Sequence, residues 1–144
     1  MIEKLLTRNR MQSIQSAVNF EEAIRLASQP LLKEKVIEEE YIQAMIDSVY
    51  KNGPYIVLKD YFALPHAAAG ESVHEVGMSL LILEDPVDLL GNPVKVFLVL
   101  AAVDSATHLE ALAELSELLM EDTIYEVLLS GNLEDIEKVI NKKE

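Results

Sequence analysis

Three histidines are the side chains of this sequence best suited to nucleophilic, acid–base or metal chemistry. Cysteine does not occur among the 144 residues, so thiolate nucleophiles, disulfides and sulfur-ligated zinc are excluded. His66 follows Pro65 at the end of a predicted strand, and residues 67–70 after it read Ala-Ala-Ala-Gly. Proline restricts the backbone leading into the imidazole, while small side chains leave room for a second active site and expose backbone N–H groups to phosphate oxygens. The position of His66 by itself is about equally compatible with a nucleophile and with an ordinary polar residue at a strand-to-loop junction.

His108 is the second candidate. The run from Thr107 to Glu110 has the Thr-x-x-Glu form of a capping box, which predicts a helix that begins there, directly after an apolar strand. The positive end of a helix favours anions and the neutral imidazole, so His108 could donate an N–H to a phosphoryl oxygen. Because loops at one sheet edge commonly build sites, we expect His66 and His108 to converge. His74 lies in a polar stretch and is predicted to be a solvated loop residue.

A metal site would be a competing use of the same side chains. His66 and His108 together with Asp104 or Glu110 would supply nitrogen and oxygen ligands, as in a metal-dependent hydrolase. The sequence has no His-x-x-x-His or His-x-His spacing, so we assign no metal ligand. Carboxylate pairs of the glycosidase type also stay open, although most Asp and Glu residues fall on predicted helix faces.

Composition limits the classes of partner. Twenty-five Asp and Glu residues against twelve Lys and Arg give a net charge of −13, which argues against nucleic acids and anionic membranes. Such a chain would instead attract a partner protein with a basic docking face. The apolar runs, such as 97–103, are shorter than the roughly 20 residues that span a bilayer. We expect one soluble, cytoplasmic domain over residues 1–144 without membrane insertion.

Hydrophobic periodicity predicts alternating helices and strands. Residues 93–103 are almost all apolar, the pattern of a strand buried on both faces, so we expect an α/β fold whose sheet is covered by helices on both faces. Helices are predicted over 2–8, after an N-cap at Asn19, over 38–51 with Tyr41 on its apolar stripe, from Thr107, over 123–129 with its end at Ser130-Gly131, and from Asn132. Strands are predicted over 12–18, 55–58, 61–64, 76–83 and 93–103, and Glu84-Asp85-Pro86 bounds the fourth of them.

The segment from Ala63 to Ala67 reads Ala-Leu-Pro-His-Ala and resembles the motif around the phosphorylated histidine of phosphotransferase system (PTS) IIA domains of the mannitol/fructose class, EIIA type 2. The helix at 39–45, the strand at 98–104 and the run at 107–110 are similar to the remaining parts of that site. Residues 53–55 and 101–108 look closest to the ascorbate-type branch. The resemblance covers essentially the whole chain.

The resemblance implies a mixed β-sheet in a three-layer fold and a phosphocarrier function. The chain would accept a phosphoryl group on His66 from HPr, a phosphohistidine carrier protein, with His108 stabilising that group, and pass it to an EIIB component that works with a membrane EIIC. No cofactor is implied. A regulatory role, acting on a transcription factor or an enzyme, is the alternative.

One departure from the family pattern concerns positive charge. Members usually carry an arginine near the site, whereas the arginines of this chain are Arg8, Arg10 and Arg25. Lys51 or Lys59 is a candidate to replace it, although a lysine lacks the planar, bidentate fork of a guanidinium group.

Overall fold

The fold is an α/β arrangement built on a five-stranded mixed sheet. The structure, a computed structural model, describes residues 1–68 and 70–142. In these residues the helices are α1 (Ile2–Leu5), α2 (Phe20–Lys33), α3 (Glu39–Asn52), α4 (Ser105–Leu119), α5 (Asp122–Ser130) and α6 (Leu133–Lys142). The strands are β1 (Met11–Ile14), β2 (Val57–Lys59), β3 (Tyr61–Ala63), β4 (Gly77–Leu89) and β5 (Asn92–Ala101).

The strand order is β1-β4-β5-β3-β2. β4 and β5 form a long antiparallel hairpin at the centre of the sheet. β1 runs parallel to β4, and β3 runs parallel to β5 on the opposite side. The short edge strand β2 pairs antiparallel with β3. The mixed sheet implied by the family resemblance is therefore confirmed.

Side-chain alternation along the central hairpin divides the core into two layers. Leu81 and Phe97 point to one face, where they pack with buried residues of α2 and α3. Leu80 and Leu98 point to the opposite face, where they pack with α1 and the three C-terminal helices. Because successive strand residues alternate between faces, a strand covered on both sides must be apolar at consecutive positions, as β5 is from Val96 to Ala101. The predicted three-layer architecture is confirmed.

Phe97 gives a direct test of this core, because it is fully buried on β5 between β3 and β4. We expect Phe97→Ala to lower the free energy of unfolding by about 3–5 kcal/mol, since it loses the transfer free energy of the ring and leaves a cavity. Urea denaturation followed by circular dichroism measures the loss. Phe97→Leu, which fills more of the space, should lose much less. A loss below about 1 kcal/mol in Phe97→Ala would contradict the packing.

The predicted end of the fourth strand at Glu84-Asp85-Pro86 is wrong. β4 continues to Leu89, because Val87, Asp88 and Leu89 pair with Val94, Pro93 and Asn92 across the hairpin. The register shifts between Ile82 and Val87, and this irregularity contains Pro86. A proline lacks the N–H for a regular ladder and is tolerated at such a bulge. Local composition therefore gave a false strand boundary here.

The N-terminal boundaries also differ from prediction. α1 ends at Leu5 rather than residue 8, because the backbone of Thr7 is extended and its hydroxyl hydrogen-bonds to the Asn9 side chain. A 3₁₀ turn at Arg8–Arg10 follows Thr7. β1 covers 11–14 instead of 12–18, because the backbone N–H of Val18 donates to Glu22 in the first turn of α2. The predicted N-cap at Asn19 is confirmed, since its Oδ1 accepts from the Glu22 N–H at 2.9 Å.

No helix in the described residues combines the length and the apolar character needed to cross a bilayer.

Candidate functional site

The sheet topology brings His66 and His108 together. β3 and β5 are parallel neighbours, so their carboxyl ends lie at the same edge of the sheet. The pairing continues beyond β3, where the Leu100 N–H donates to the Pro65 carbonyl at 3.0 Å. His66 follows immediately, and α4 starts four residues after β5 ends at Ala101. The two imidazole centroids lie 5.3 Å apart with an interplanar angle of 59°, so the predicted convergence is confirmed.

The His66 ring is held by its own strand. Its Nδ1 lies 2.6 Å from the carbonyl oxygen of Leu64. A carbonyl oxygen can only accept a hydrogen bond, so Nδ1 carries the proton and, in the neutral ring, Nε2 carries the lone pair. The ring is half-buried, which leaves an accessible face. The geometry therefore leaves Nε2 as the ring nitrogen of His66 whose lone pair is free of the Leu64 contact.

The start of α4 differs from the predicted capping box. Asp104, not Thr107, is the N-cap: its backbone is extended, and its Oδ1 accepts from the Thr107 N–H at 2.7 Å. The His108 N–H donates to the Asp104 carbonyl at 3.2 Å. Hydrogen bonds from Thr107 hold the pKa of the Asp104 carboxyl below its usual value. Asp104 therefore places a carboxylate at this helix end, and its Oδ1 takes up the Thr107 N–H.

His108 occupies the fourth position of α4 and is half-buried. Burial lowers its pKa below the ordinary histidine value, and the neighbouring His66 lowers it further. The neutral imidazole expected for His108 is thus supported, although burial and a second histidine cause it rather than the helix dipole. A neutral ring keeps one N–H donor and one lone pair.

A surface cavity of about 320 Å³ opens beside the two rings. Ala67 and Ala68 form its small-residue side, as the sequence predicted, while Ala69 lies outside the described residues. The Ala67 N–H is not available to a phosphate, because it donates to the Tyr41 hydroxyl at 3.1 Å. The remaining lining comes from both histidines and from polar side chains at the end of α3 and just after it, namely Ser48, Asn52 and Tyr55.

Two tyrosines contact the site and were missed as functional residues by sequence reasoning. Tyr55, predicted as part of a strand, stands edge-on against His66 with ring centroids 5.4 Å apart. Tyr41, interpreted as a member of an apolar helix stripe, is buried but directs its hydroxyl to the carbonyl of Leu100 at 2.7 Å. A tyrosine among aliphatic core positions is the available signal, because its buried hydroxyl requires a hydrogen-bond partner.

The other predicted side chains lie elsewhere. His74 has an exposed side chain, whose Nε2 lies 3.0 Å from Glu38 Oε2. It lines a different cavity, in agreement with the predicted loop role. Lys59 cannot supply the missing positive charge, because its Nζ donates to the carbonyl of Leu119 at 2.9 Å. Leu119 ends α4 about 16 Å along the axis from His108. Lys51 is exposed in the last turn of α3, next to Asn52.

The described residues contain no group of three His, Cys, Asp or Glu side chains placed to hold a metal ion. Asp104, one of the residues considered as a metal ligand, caps α4 by accepting the Thr107 N–H at its Oδ1.

Comparison with known proteins agrees with this geometry. The family model described as "Phosphoenolpyruvate-dependent sugar phosphotransferase system, EIIA 2" matches residues 4–143. The mannitol-specific cryptic phosphotransferase enzyme IIA component of Escherichia coli K12 is 42% identical over 123 residues, covering 84% of each chain. The ascorbate-specific PTS system EIIA component of the same strain is 34% identical over 109 residues, covering 73% of this chain and 71% of that protein.

Solved structures lead to the same family. A solution structure of the mannitol-specific cryptic IIA enzyme from Escherichia coli superposes with a TM-score of 0.86 at 38% identity, covering 95% of this chain and 98% of that one. The fold is shared with the IIA mannitol component in a complex with phosphorylated IIB, also from Escherichia coli, at a TM-score of 0.73 and 24% identity over 87% and 90% of the chains. The chain belongs to the EIIA type 2 family of the phosphoenolpyruvate-dependent sugar phosphotransferase system, whose members are phosphotransfer proteins.

Proposed function

We propose that this chain is a phosphocarrier that accepts a phosphoryl group from phospho-HPr on Nε2 of His66 and passes it to an EIIB component during carbohydrate uptake. The observation that carries the proposal is the 2.6 Å contact between His66 Nδ1 and the Leu64 carbonyl, which leaves Nε2 as the basic nitrogen beside His108. The phosphohistidine intermediate, the donor and the acceptor are inferred from this geometry together with family membership.

The inward step exchanges one phosphorus–nitrogen bond for another. The Nε2 lone pair attacks phosphorus in line, the bond to the donor imidazole breaks, and its electron pair returns to the donor nitrogen. The Leu64 carbonyl stabilises the positive charge that develops on the His66 ring, because it accepts the Nδ1–H throughout. The outward step repeats this chemistry, with an EIIB nucleophile attacking the same phosphorus. Both steps therefore depend mainly on alignment, since similar bonds form and break.

His108 is proposed to stabilise the transferring group. Its ring lies 5.3 Å from that of His66 and borders the same cavity, so an imidazole N–H can reach a phosphoryl oxygen without backbone movement. In the absence of an arginine along the described lining of this cavity, His108 supplies the donor opposite the nucleophile. The Asn52 amide also lines the cavity, where its Nδ2 donates to Ser48 Oγ.

Both partners would dock on the face that presents the two histidines. Tyr55 lines the cavity and is partly exposed, and Val103 and Leu109, which lie close to His108 in the sequence, are exposed apolar residues. The net charge of −13 would steer a donor or acceptor that carries basic side chains around its own nucleophile. We place the protein in the cytoplasm, as one domain that associates with a membrane EIIC through its EIIB partner.

Phosphoryl labelling tests this function. The chain is incubated with enzyme I, HPr and phosphoenolpyruvate labelled with ³²P, and the label is mapped by digestion and mass spectrometry. We expect about one acid-labile, alkali-stable phosphoryl group per chain, on His66, that is discharged when an EIIB component of this family branch is added. An unlabelled native chain, with HPr fully phosphorylated in the same tube, would reject the proposal.

A further inference from the structure

The peptide group that joins His66 to Ala67 is hydrogen-bonded at both ends by tyrosine hydroxyls. Its carbonyl, which belongs to His66, accepts from the Tyr55 hydroxyl at 3.3 Å. Its N–H, which belongs to Ala67, donates to the Tyr41 hydroxyl at 3.1 Å. Tyr41 lies in α3 and Tyr55 follows the Gly53-Pro54 turn that ends this helix, so one segment contacts both ends of the peptide.

The contact with Tyr41 is buried and tied to the sheet. Tyr41 is 1% exposed, and its hydroxyl donates to the carbonyl of Leu100 in β5 at 2.7 Å. This commits the hydroxyl hydrogen to Leu100 and leaves the oxygen to accept the Ala67 N–H; the Ala67 carbonyl is farther away, at 3.4 Å. Burial raises the pKa of Tyr41 to about 12, so the hydroxyl stays protonated at physiological pH. The peptide is thereby linked to the central hairpin.

The Tyr55 side chain is partly exposed, and its hydroxyl is the last member of a chain of hydrogen bonds that begins at Asn52. Asn52 Nδ2 donates to Ser48 Oγ at 3.1 Å, and Ser48 Oγ lies 2.8 Å from the Tyr55 hydroxyl. If Ser48 donates to Tyr55, the Tyr55 hydrogen is directed to the His66 carbonyl, and each hydroxyl in the chain both donates and accepts. The same tyrosine packs its ring edge against the imidazole. One side chain thus contacts both the backbone and the ring of His66.

We propose that Tyr41 and Tyr55 are positioning residues for phosphoryl transfer, which hold both ends of the His66–Ala67 peptide and thereby fix the direction of Nε2. Upstream of His66, the Pro65 carbonyl is already anchored by the Leu100 N–H. With both tyrosines in place, the peptides on each side of the His66 Cα are anchored. In-line transfer requires this, because a displacement of about 1 Å can slow a positioned reaction roughly 100-fold. The inference rests on the proposed phosphocarrier function.

Phenylalanine substitutions test the two hydroxyls separately. In rapid-quench experiments with increasing phospho-HPr, we expect Tyr41→Phe and Tyr55→Phe each to lower the maximal transfer rate roughly tenfold, about the effect of one hydrogen bond. The half-saturating concentration of phospho-HPr should not change, because each variant keeps the aromatic ring and loses only a hydroxyl that bonds to the His66–Ala67 peptide. Tyr50→Phe, on the same helix but packed against Phe20, is the matched control and should transfer at the native rate.

A second measurement separates positioning from loss of fold. In ¹⁵N spectra we expect faster amide exchange at Ala67 in Tyr41→Phe and a shifted Ala67 amide nitrogen in Tyr55→Phe, while the amides of β4 stay unchanged. Tyr55→Phe keeps the test decisive if the buried Tyr41 variant does not fold. Two results would overturn the positioning role, provided that the native chain accepts label. One is a native maximal rate in the folded variants, and the other is a changed half-saturating concentration at an unchanged maximal rate. An unlabelled native chain would overturn the phosphocarrier function itself.

Discussion

Replacement of His66 by alanine is expected to abolish phosphoryl acceptance, with the rate falling by about 10⁴-fold or more because the nucleophile itself is removed. We expect His108 not to replace the nucleophile, although it borders the same cavity, because in the described residues only the His66 ring is oriented by a contact between Nδ1 and the Leu64 carbonyl. Quantitative labelling with phospho-HPr measures the loss.

His66→Asn is the sharper variant. The asparagine amide can donate to the Leu64 carbonyl as Nδ1 does, so the local hydrogen bond is retained while the Nε2 lone pair is lost. We expect it to fold as the native chain does and to take no label. His74→Ala, which removes a histidine outside the site, should be labelled normally. Native labelling of His66→Asn would move the acceptor to another residue.

Removal of the His108 side chain should slow transfer by about 10²–10³-fold in both directions, the usual cost of losing one preorganised donor to developing charge. The mechanism predicts that His108→Ala still takes up label at long times, because His66 is intact. His108→Gln, which restores an N–H donor without a titratable group, should recover part of the rate. Rapid-quench kinetics with phospho-HPr and then with EIIB measures the two steps, and a native rate in His108→Ala would remove this residue from the mechanism.

The protonation of His108 should respond to phosphorylation of its neighbour. Its pKa is lowered in the unmodified protein, so the ring is neutral around pH 7 and takes up a proton only on acidification. A phosphoryl group on His66 brings about two negative charges next to the ring, and a nearby anion favours the charged form, so the pKa must rise. NMR titration of the His108 ring protons before and after phosphorylation would show the shift, and an unchanged titration would place the phosphoryl group away from His108.

The same lowered pKa fixes the sign of a stability effect. The unfolded chain has an ordinary histidine at this position and therefore binds protons more readily than the folded chain. The contribution of His108 to the free energy of unfolding is present above its unfolded pKa of about 6.5. It is lost as the pH falls through the lowered pKa of the folded protein. His108→Gln should weaken this part of the acid sensitivity of unfolding.

Local sequence signals were sufficient for much of the fold. The almost unbroken apolar run at 93–103 predicted a strand with helices on both faces, because a one-sided strand would alternate. The Asn19 cap and Gly131, whose φ is 73°, were readable because helix ends are specified within a few residues. Pro65-His66 at a strand end marked His66 only as a candidate, and the resemblance of residues 63–67 to the family motif singled it out.

Tertiary structure decided whatever depends on pairing between distant segments. Composition at Glu84-Asp85-Pro86 indicated a strand end, but β4 continues because β5 pairs with the residues beyond the bulge. Asp104 replaced Thr107 as the cap, since the point at which β5 leaves the sheet determines which side chain reaches the first free N–H groups. Lys59 was a candidate for the site and lies instead at the far end of α4.

The tyrosine contacts with the His66–Ala67 peptide are the clearest case. Helical spacing correctly put Tyr41 in the core, and that is all that a 3.6-residue period can indicate. Its hydroxyl bridges Leu100 and Ala67 because parallel pairing of β3 with β5 brings the end of both strands under α3. The sequence by itself therefore determined which residue we propose as the phosphoryl acceptor and which faces are buried. Only the tertiary structure decided which side chains hold that residue in place, because hydrogen bonds across 26 or 59 positions leave no trace in local periodicity.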